Sequence, residues 1–309
     1  MRIIKETNID FIRQTKVSFI LSAFVILAGI ISLVINGGPK LSIDFKGGTL
    51  VSVQYTEDMD VTAVRTAMGN VNIDGQSFDF SREEIKHFGG PSAVLIRVPH
   101  IEDAPQNFSQ KIADHLYSAF PDKVPESKTD FILGKGTVSP KIGSELSGKA
   151  VMAIISALGL ILLYISIRFE FKFALGAIAA LAHDVTITLG LFSLLGYEIS
   201  LPIIAAFLTI VGYSLNDTIV IFDRIRENVK VSKRETYHGV VNRSINDSLS
   251  RTFVTSITTF IVIFILWLFG GEVIHNFALA MIIGVIVGTY SSIYIASPIV
   301  VKLHENAIK

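Results

Sequence analysis

Apolar residues gather into six long runs, near 17–35, 150–167, 173–195, 199–222, 252–269 and 277–301. Each is long enough to cross a bilayer as a helix, which takes roughly 17–25 residues. The first run lies where a secretory signal would. However, Asn36-Gly37-Gly38-Pro39 follows Ile35 where a small-x-small cleavage site belongs, so an uncleaved anchor is expected. Between the first two runs, residues 36–149 change pattern and are numerous enough for a small domain with its own core. They predict strand 41–56, helix 60–69, strand 77–81, strand 92–99, helix 105–119 and strand 127–138. Leu50, Val51, Val53 and Tyr55 give the first strand one buried face and a partly apolar second face, while Phe108, Ile112, His115, Leu116 and Ala119 share a helix face.

The order βαββαβ fits a ferredoxin-like α/β sandwich. The expected fold is therefore a polytopic α-helical membrane protein with six transmembrane helices and one external α/β domain between helices one and two. Residues 1–16 and 302–309 form terminal segments. After Pro140, Gly143 to Gly148 lead straight into the second span, a route by which domain movement would reach the membrane. Segment 223–251 mixes charge with Ile225, Val229, Val231, Val240, Val241 and Ile245, which predicts an amphipathic loop near the membrane surface.

Composition sharpens this picture. Half of the 309 residues are hydrophobic and 17% are charged, with a mean hydropathy of +0.54. A net charge of zero argues against a nucleic-acid binder, whose phosphate contacts need a basic surface. Without cysteine, disulfides, thiol catalysis and thiolate metal sites are excluded. No His and carboxylate cluster has metal-ligand spacing, and Gly47-Gly48 lacks a phosphate-loop lysine.

Basic residues set the orientation. Arg2, Lys5, Arg13 and Lys16 precede the first span, Arg168 and Lys172 lie in 168–172, and Lys302 and Lys309 lie in the tail. Segment 223–251 adds Arg224, Arg226, Lys230, Lys233, Arg234, Arg243 and Arg251, whereas loops 196–200 and 270–276 have neither Lys nor Arg. The positive-inside rule then places both termini in the cytoplasm.

Three polar sites interrupt the spans. Asp217 lies in Gly212-Tyr213-Ser214-Leu215-Asn216-Asp217-Thr218, where an ionised acid in lipid costs several kcal/mol unless paired or wetted. Tyr213 and Ser214 share its helix face and can hydrogen-bond a carboxyl group. It is either an interfacial acid or an ion carrier. Arg251 opens a stripe with Thr255, Thr258 and Thr259, and either orients the helix end or holds Asp217 ionised. His183-Asp184, with Thr188 one turn on, is either a structural clamp or a functional pair; adjacent residues point about 100° apart and need not bond each other. Gly284 and Gly288 form a small-xxx-small packing pair.

Several strings together resemble the SecF family, the smaller subunits of bacterial SecD–SecF translocation complexes. They are Asp44-Phe45-Lys46-Gly47-Gly48-Thr49, His183-Asp184, the Asp217 string running on to Phe222-Asp223-Arg224-Ile225-Arg226-Glu227, and Ser250-Arg251-Thr252. The resemblance covers the whole chain and implies half of a resistance–nodulation–division membrane set in the bacterial inner membrane. It implies pairing with SecD to complete a twelve-helix bundle, and work alongside the SecYEG channel, YajC and YidC on an unfolded preprotein. It maps the family's transport carboxylate and basic partner onto Asp217 and Arg251, and implies no enzyme activity and no cofactor beyond the transported H⁺, with Na⁺ as the other candidate ion. Three rivals are a lipid or drug exporter of the same superfamily, an intramembrane aspartyl protease using Asp184 and Asp217, and a passive assembly factor. The exporters usually carry two external domains and twelve spans, and the protease's Gly-x-Gly-Asp string is missing.

Overall fold

The computed structural model describes residues 7–232 and 234–308, so Arg2, Lys5, Lys233 and Lys309 lie outside the described residues. The chain divides into two units, one of residues 1–40 with 150–309 and one of residues 41–149.

In the second unit a four-stranded sheet carries the helices. Its elements are α2 (Ile43–Lys46), β1 (Gly48–Gln54), α3 (Val61–Ala67), β2 (Val71–Ile73), β3 (Gln76–Phe78), β4 (Glu84–His87), β5 (Ala93–Val98), α4 (Phe108–Ala119), α5 (Lys128–Phe131) and β6 (Ile132–Val138). The main sheet runs β4-β5-β1-β6 with every neighbour antiparallel. That is the strand order of the ferredoxin-like sandwich. Val51, Val53, Val94 and Ile96 of the sheet meet Val64, Ile112 and Leu116 of the helices in one core. Each such side chain contributes about 1.5–3 kcal/mol when fully buried.

Three expected elements are redrawn. The strand at 77–81 belongs instead to the small β2–β3 hairpin, closed by Asp74-Gly75 with φ of 53° and 81°, the positive values a two-residue hairpin turn needs. The second strand of the main sheet is Glu84–His87, where Ile85 alone is buried and the apolar pattern is too sparse to show. The strands at 41–56 and 127–138 each begin with a one-turn helix, capped by Ser42 and Ser127.

The first unit holds the apolar helices: α1 (Thr15–Ile35), α6 (Pro140–Arg168), α7 (Phe171–Leu194), α8 (Leu201–Val231), α9 (Tyr237–Phe269) and α10 (Glu272–Ser291). The last continues through a π-helical turn, Ser292–Ala296, into α11 (Ser297–Ile308). Among the described residues six helical spans are thus long and apolar enough to cross a membrane, and the division between units falls within α6. Helices α7, α8 and α10–α11 form the interior, whereas α1, α6 and α9 turn Val17, Phe24, Met152, Leu160 and Val262 outward.

Segment 223–251 is largely helical and not a loop. Helix α8 carries on to Val231 and α9 starts at Tyr237, capped by Thr236, so a helical hairpin stands where an amphipathic surface segment was expected. Its apolar residues Ile225, Val240, Val241 and Ile245 are spent on helix packing, and only Val229 and Val231 stay exposed. The hairpin also holds the N-terminal segment. Asn242 and Asn246, one turn apart on α9, accept from the backbone N–H groups of Phe11 and Ile9 and donate back to the Ile9 carbonyl.

Candidate functional site

Close helix approach sets up the site. Gly284 and Gly288 of α10 face Ile210 and Ser214 of α8; a Cβ on Gly288 would lie 2.9 Å from the Ser214 Cβ, and one on Gly284 would collide with Ile210. On the other side, Gly29 of α1 packs on Gly190 of α7, where an added Cβ would lie 2.7 Å from the facing Cα. Such contacts let short hydroxyl side chains reach across from one helix to the next.

The first polar cluster centres on Asp184 of α7, which has no exposed surface. Ser214 of α8 donates to its Oδ2 at 2.6 Å and Ser291 of α10 at 2.8 Å, while Oδ1 lies 2.9 Å from His183 Nδ1. The neighbouring His and Asp therefore do bond each other, although their positions on the helix point about 100° apart. Beyond it, His183 Nε2 lies 3.0 Å from Ser22 Oγ of α1, and Ser22 Oγ lies 3.1 Å from the Tyr290 hydroxyl. Tyr290 donates to the Ser18 carbonyl at 2.7 Å.

Counting hydrogens shows what this chain of contacts can do. Tyr290 spends its one hydrogen on Ser18, and Ser22 has one to give. With a hydrogen on Nδ1 alone, His183 leaves Ser22 to choose between two acceptors, Nε2 and the Tyr290 oxygen. With both ring nitrogens protonated, Nε2 donates to Ser22, Ser22 donates to Tyr290, and every contact has its hydrogen. Turning one hydroxyl is enough to accommodate a proton.

The second cluster surrounds Asp217 of α8, which is 2% exposed. Ser256 of α9 donates to Oδ2 at 3.4 Å and lies 2.7 Å from Thr289 of α10, and Thr255 also stands close to the carboxyl group. The two clusters are joined along α8, because Ser214 and Asp217 are three residues apart and share a face.

Several expected partners are placed elsewhere. Ser214 serves Asp184 rather than Asp217, Tyr213 has a buried hydroxyl with no partner among the described residues, and Asn216 is exposed. Thr218 is buried and donates to the Ser214 carbonyl. Arg251 is exposed and makes no ion pair with Asp217; its charge acts on the carboxyl group only from a distance. Thr255 donates to the Arg251 and Thr252 carbonyls, Thr258 to those of Val254 and Thr255. The inward face of α9 is instead Ser244, Ser248, Thr252 and Ser256, all buried. That repeat of four was present in the sequence, rotated away from the stripe that begins at Arg251. Ser22, Tyr290, Ser291 and Thr289 had no such signal, since a lone hydroxyl in an apolar run marks nothing until its neighbour is known.

The remaining motifs make other contacts. Asp223 meets Arg168 at 3.4 Å and Arg226 at 3.5 Å, and Arg224 pairs with Glu227 at 3.1 Å on an exposed face. In the second unit, Asp44 and the buried Phe45 lie on α2, with the Asp44 N–H donating to Ser42. Gly47 and Gly48 follow at φ of 76° and 126°. A side chain on Gly47 would meet Pro140 at 2.8 Å and one on Gly48 the Val98 carbonyl at 2.7 Å, so the motif is a tight backbone junction.

Comparison with known proteins agrees on one family. A model described as "Protein export membrane protein SecD/SecF, C-terminal" matches residues 124–306, and the "SecD/SecF GG Motif" matches residues 31–59. The chain is 43% identical to protein translocase subunit SecF of Rhodothermus marinus, covering 99% of this chain and 97% of that one. It is 42% identical to the SecDF subunit of Thermus thermophilus over 92% of this chain and 37% of that one. Among solved structures, a crystal structure of SecDF, a translocon-associated membrane protein from the same organism, superposes with a TM-score of 0.83 at 37% identity. It covers 97% of this chain, which spans 39% of that longer one. A super-membrane-facing form of SecDF gives a TM-score of 0.68 over 99% of this chain and 40% of that one.

Proposed function

The chain belongs to the SecF family of protein translocase subunits, and from that premise we propose that it converts ion flow past Asp217 into work on exported protein. It is a multi-pass membrane subunit of the Sec protein-export machinery, not an enzyme, and it partners SecD, to which relatives are fused in one chain. In the proposed setting it lies in the bacterial inner membrane with both termini cytoplasmic. It acts with the SecYEG channel, and with YajC and YidC, on an unfolded preprotein.

The observation that carries the reading is Asp217, enclosed among α8, α9 and α10 with hydroxyl neighbours and no ion pair among the described residues. A neutral acid is at home in that geometry. An ionised one requires water or a cation, because an uncompensated buried charge costs several kcal/mol. Loss of the proton therefore favours a second arrangement, in which water enters or Arg251 swings inward from its exposed position. The two protonation states then prefer two helix packings, the requirement for coupling ion flow to movement. Each charge crossing the membrane field releases about 2.3 kcal/mol per 100 mV. The Asp184–His183 chain offers a second proton position, and its partner Ser214 shares a face of α8 with Asp217.

Asp217→Asn, reconstituted with SecD, is expected to assemble normally and lose the part of export that depends on membrane potential. Unchanged potential-driven export in that variant would sink the assignment. Replacing H⁺ gradients by Na⁺ gradients in the same vesicles separates the two candidate ions.

A further inference from the structure

At the end of the helical unit where α6, α8 and α11 finish and α7 and α9 begin, a cavity of about 420 Å³ opens between the helices. Its wall carries Arg168, Lys172, Arg226, Lys230, Tyr237 and His304. The carboxylates that answer these cations are few. Glu170 pairs with Lys172 at 2.7 Å, and Asp223 is shared between Arg168 and Arg226 at the long distances of 3.4 and 3.5 Å. Lys230 has no ion pair among the described residues, so four cations meet two carboxylates and positive charge is left over.

Two further features point to a missing acceptor. The Tyr237 hydroxyl is buried on this wall and has no hydrogen-bond partner among the described residues. Buried hydroxyls are normally satisfied, because leaving one bare is costly. Lys172 donates to His304 Nδ1 at 3.1 Å, which fixes the hydrogen of the neutral ring on Nε2 and makes it a donor. Aromatic rings hold the cations in place: Lys172 lies 5.6 Å from the Tyr237 ring centre, and Arg226 4.9 Å from that of Phe169.

The same wall includes Ile167, 78% exposed, and Val229, 42% exposed. Apolar surface beside an unbalanced basic cluster at helix ends suits an amphiphile better than a free anion. We propose that this cavity binds the headgroup of an anionic phospholipid. Lys172, Arg226 and Lys230 take the phosphate charge, Tyr237 donates to a phosphate oxygen, and the acyl chains run past Ile167 and Val229.

The test uses the full chain in complex with SecD, delipidated and exchanged into micelles containing phosphatidylglycerol or phosphatidylcholine, with retained lipid counted by native mass spectrometry. The complex is expected to hold phosphatidylglycerol about tenfold more tightly than phosphatidylcholine, and Lys172→Gln/Lys230→Gln to erase that preference. Lys172→Arg/Lys230→Arg, which keeps the charge, is expected to preserve it. So is Arg234→Gln, which removes an exposed cation from the neighbouring turn. Equal retention of the two lipids overturns the proposal, as does loss of the preference in Arg234→Gln or in the Arg-for-Lys variant. Displacement of the lipid by an equal concentration of inorganic phosphate would assign the cavity to a free anion instead.

Discussion

Asp184 and Asp217 share one problem, a carboxyl group inside a helical bundle, and meet it differently. Asp184 collects three hydrogen bonds, from His183, Ser214 and Ser291, the kind of satisfaction that lets an ionised acid persist away from water. Asp217 has a long bond to Ser256, with the hydroxyls of Thr255 and Thr289 close by. Ser214→Ala is therefore expected to destabilise the helical unit by about 1–3 kcal/mol, the cost of stripping a buried group of a partner. Denaturation in detergent would measure it, and the loss should shrink when Ser214→Ala is made on an Asp184→Asn background. An equal loss on both backgrounds would mean that Ser214 acts through packing on Gly288 alone. The two acids were visible in the sequence because a charge in an apolar run is conspicuous. Their partners were not, because which hydroxyl faces which acid depends on the rotation of each helix about its own axis.

At the level of elements, small residues decide where the helices can cross. Gly284→Leu would drive a side chain into Ile210, and overpacking of this kind costs typically about 1–3 kcal/mol. Gly212, on α8, has nothing within 4 Å of where its Cβ would be, so Gly212→Ala should leave the isolated chain unchanged or stabilise it by about 0.5–1 kcal/mol. Similar melting of both variants would show that α8 and α10 do not meet at Gly284. A second expectation concerns the clamp on the N-terminal segment. Asn242→Ala/Asn246→Ala removes the acceptors for the Ile9 and Phe11 amides, which should then exchange hydrogen faster while the buried helices stay protected. The spans and the fold class were legible because run length and periodicity are local properties, although the second strand of the main sheet was expected at 77–81 and lies at Glu84–His87. Segment 223–251 was misread because its alternation of charged and apolar residues describes a helix packed on helices as well as one packed on lipid. The β2–β3 hairpin was not read, because two three-residue strands are too short to carry a pattern of their own.

For the whole molecule, the outstanding question is which end of each span faces which side of the membrane, since the ion-driven reading needs the field to run in a known direction across Asp217. The basic residues give a clear expectation. Arg168, Arg226, Lys230, Arg234 and Lys302 all lie at or near helix ends that an even number of spans places on the same side as the N-terminus, while Gly196 to Ser200 and Gly270 to Gly271 have no Lys or Arg to hold them there. The unit of residues 41–149, with its own core, is then expected on the opposite side, where the proposed function has exported protein emerge. The chain contains no cysteine, so single substitutions report without background. Arg234→Cys, in the turn between α8 and α9, should resist a membrane-impermeant thiol reagent in intact cells stripped of their outer membrane and react in inverted vesicles. Asp74→Cys, at the tip of the β2–β3 hairpin, should show the reverse. Swapped reactivity would invert the topology, and proton entry would then have to be sought from the end of α8 nearer Arg224. Reaction of both sites from one side would contradict the three crossings, α6, α7 and α8, that separate them, and the pairing of this chain with SecD as two six-helix halves would lose its basis.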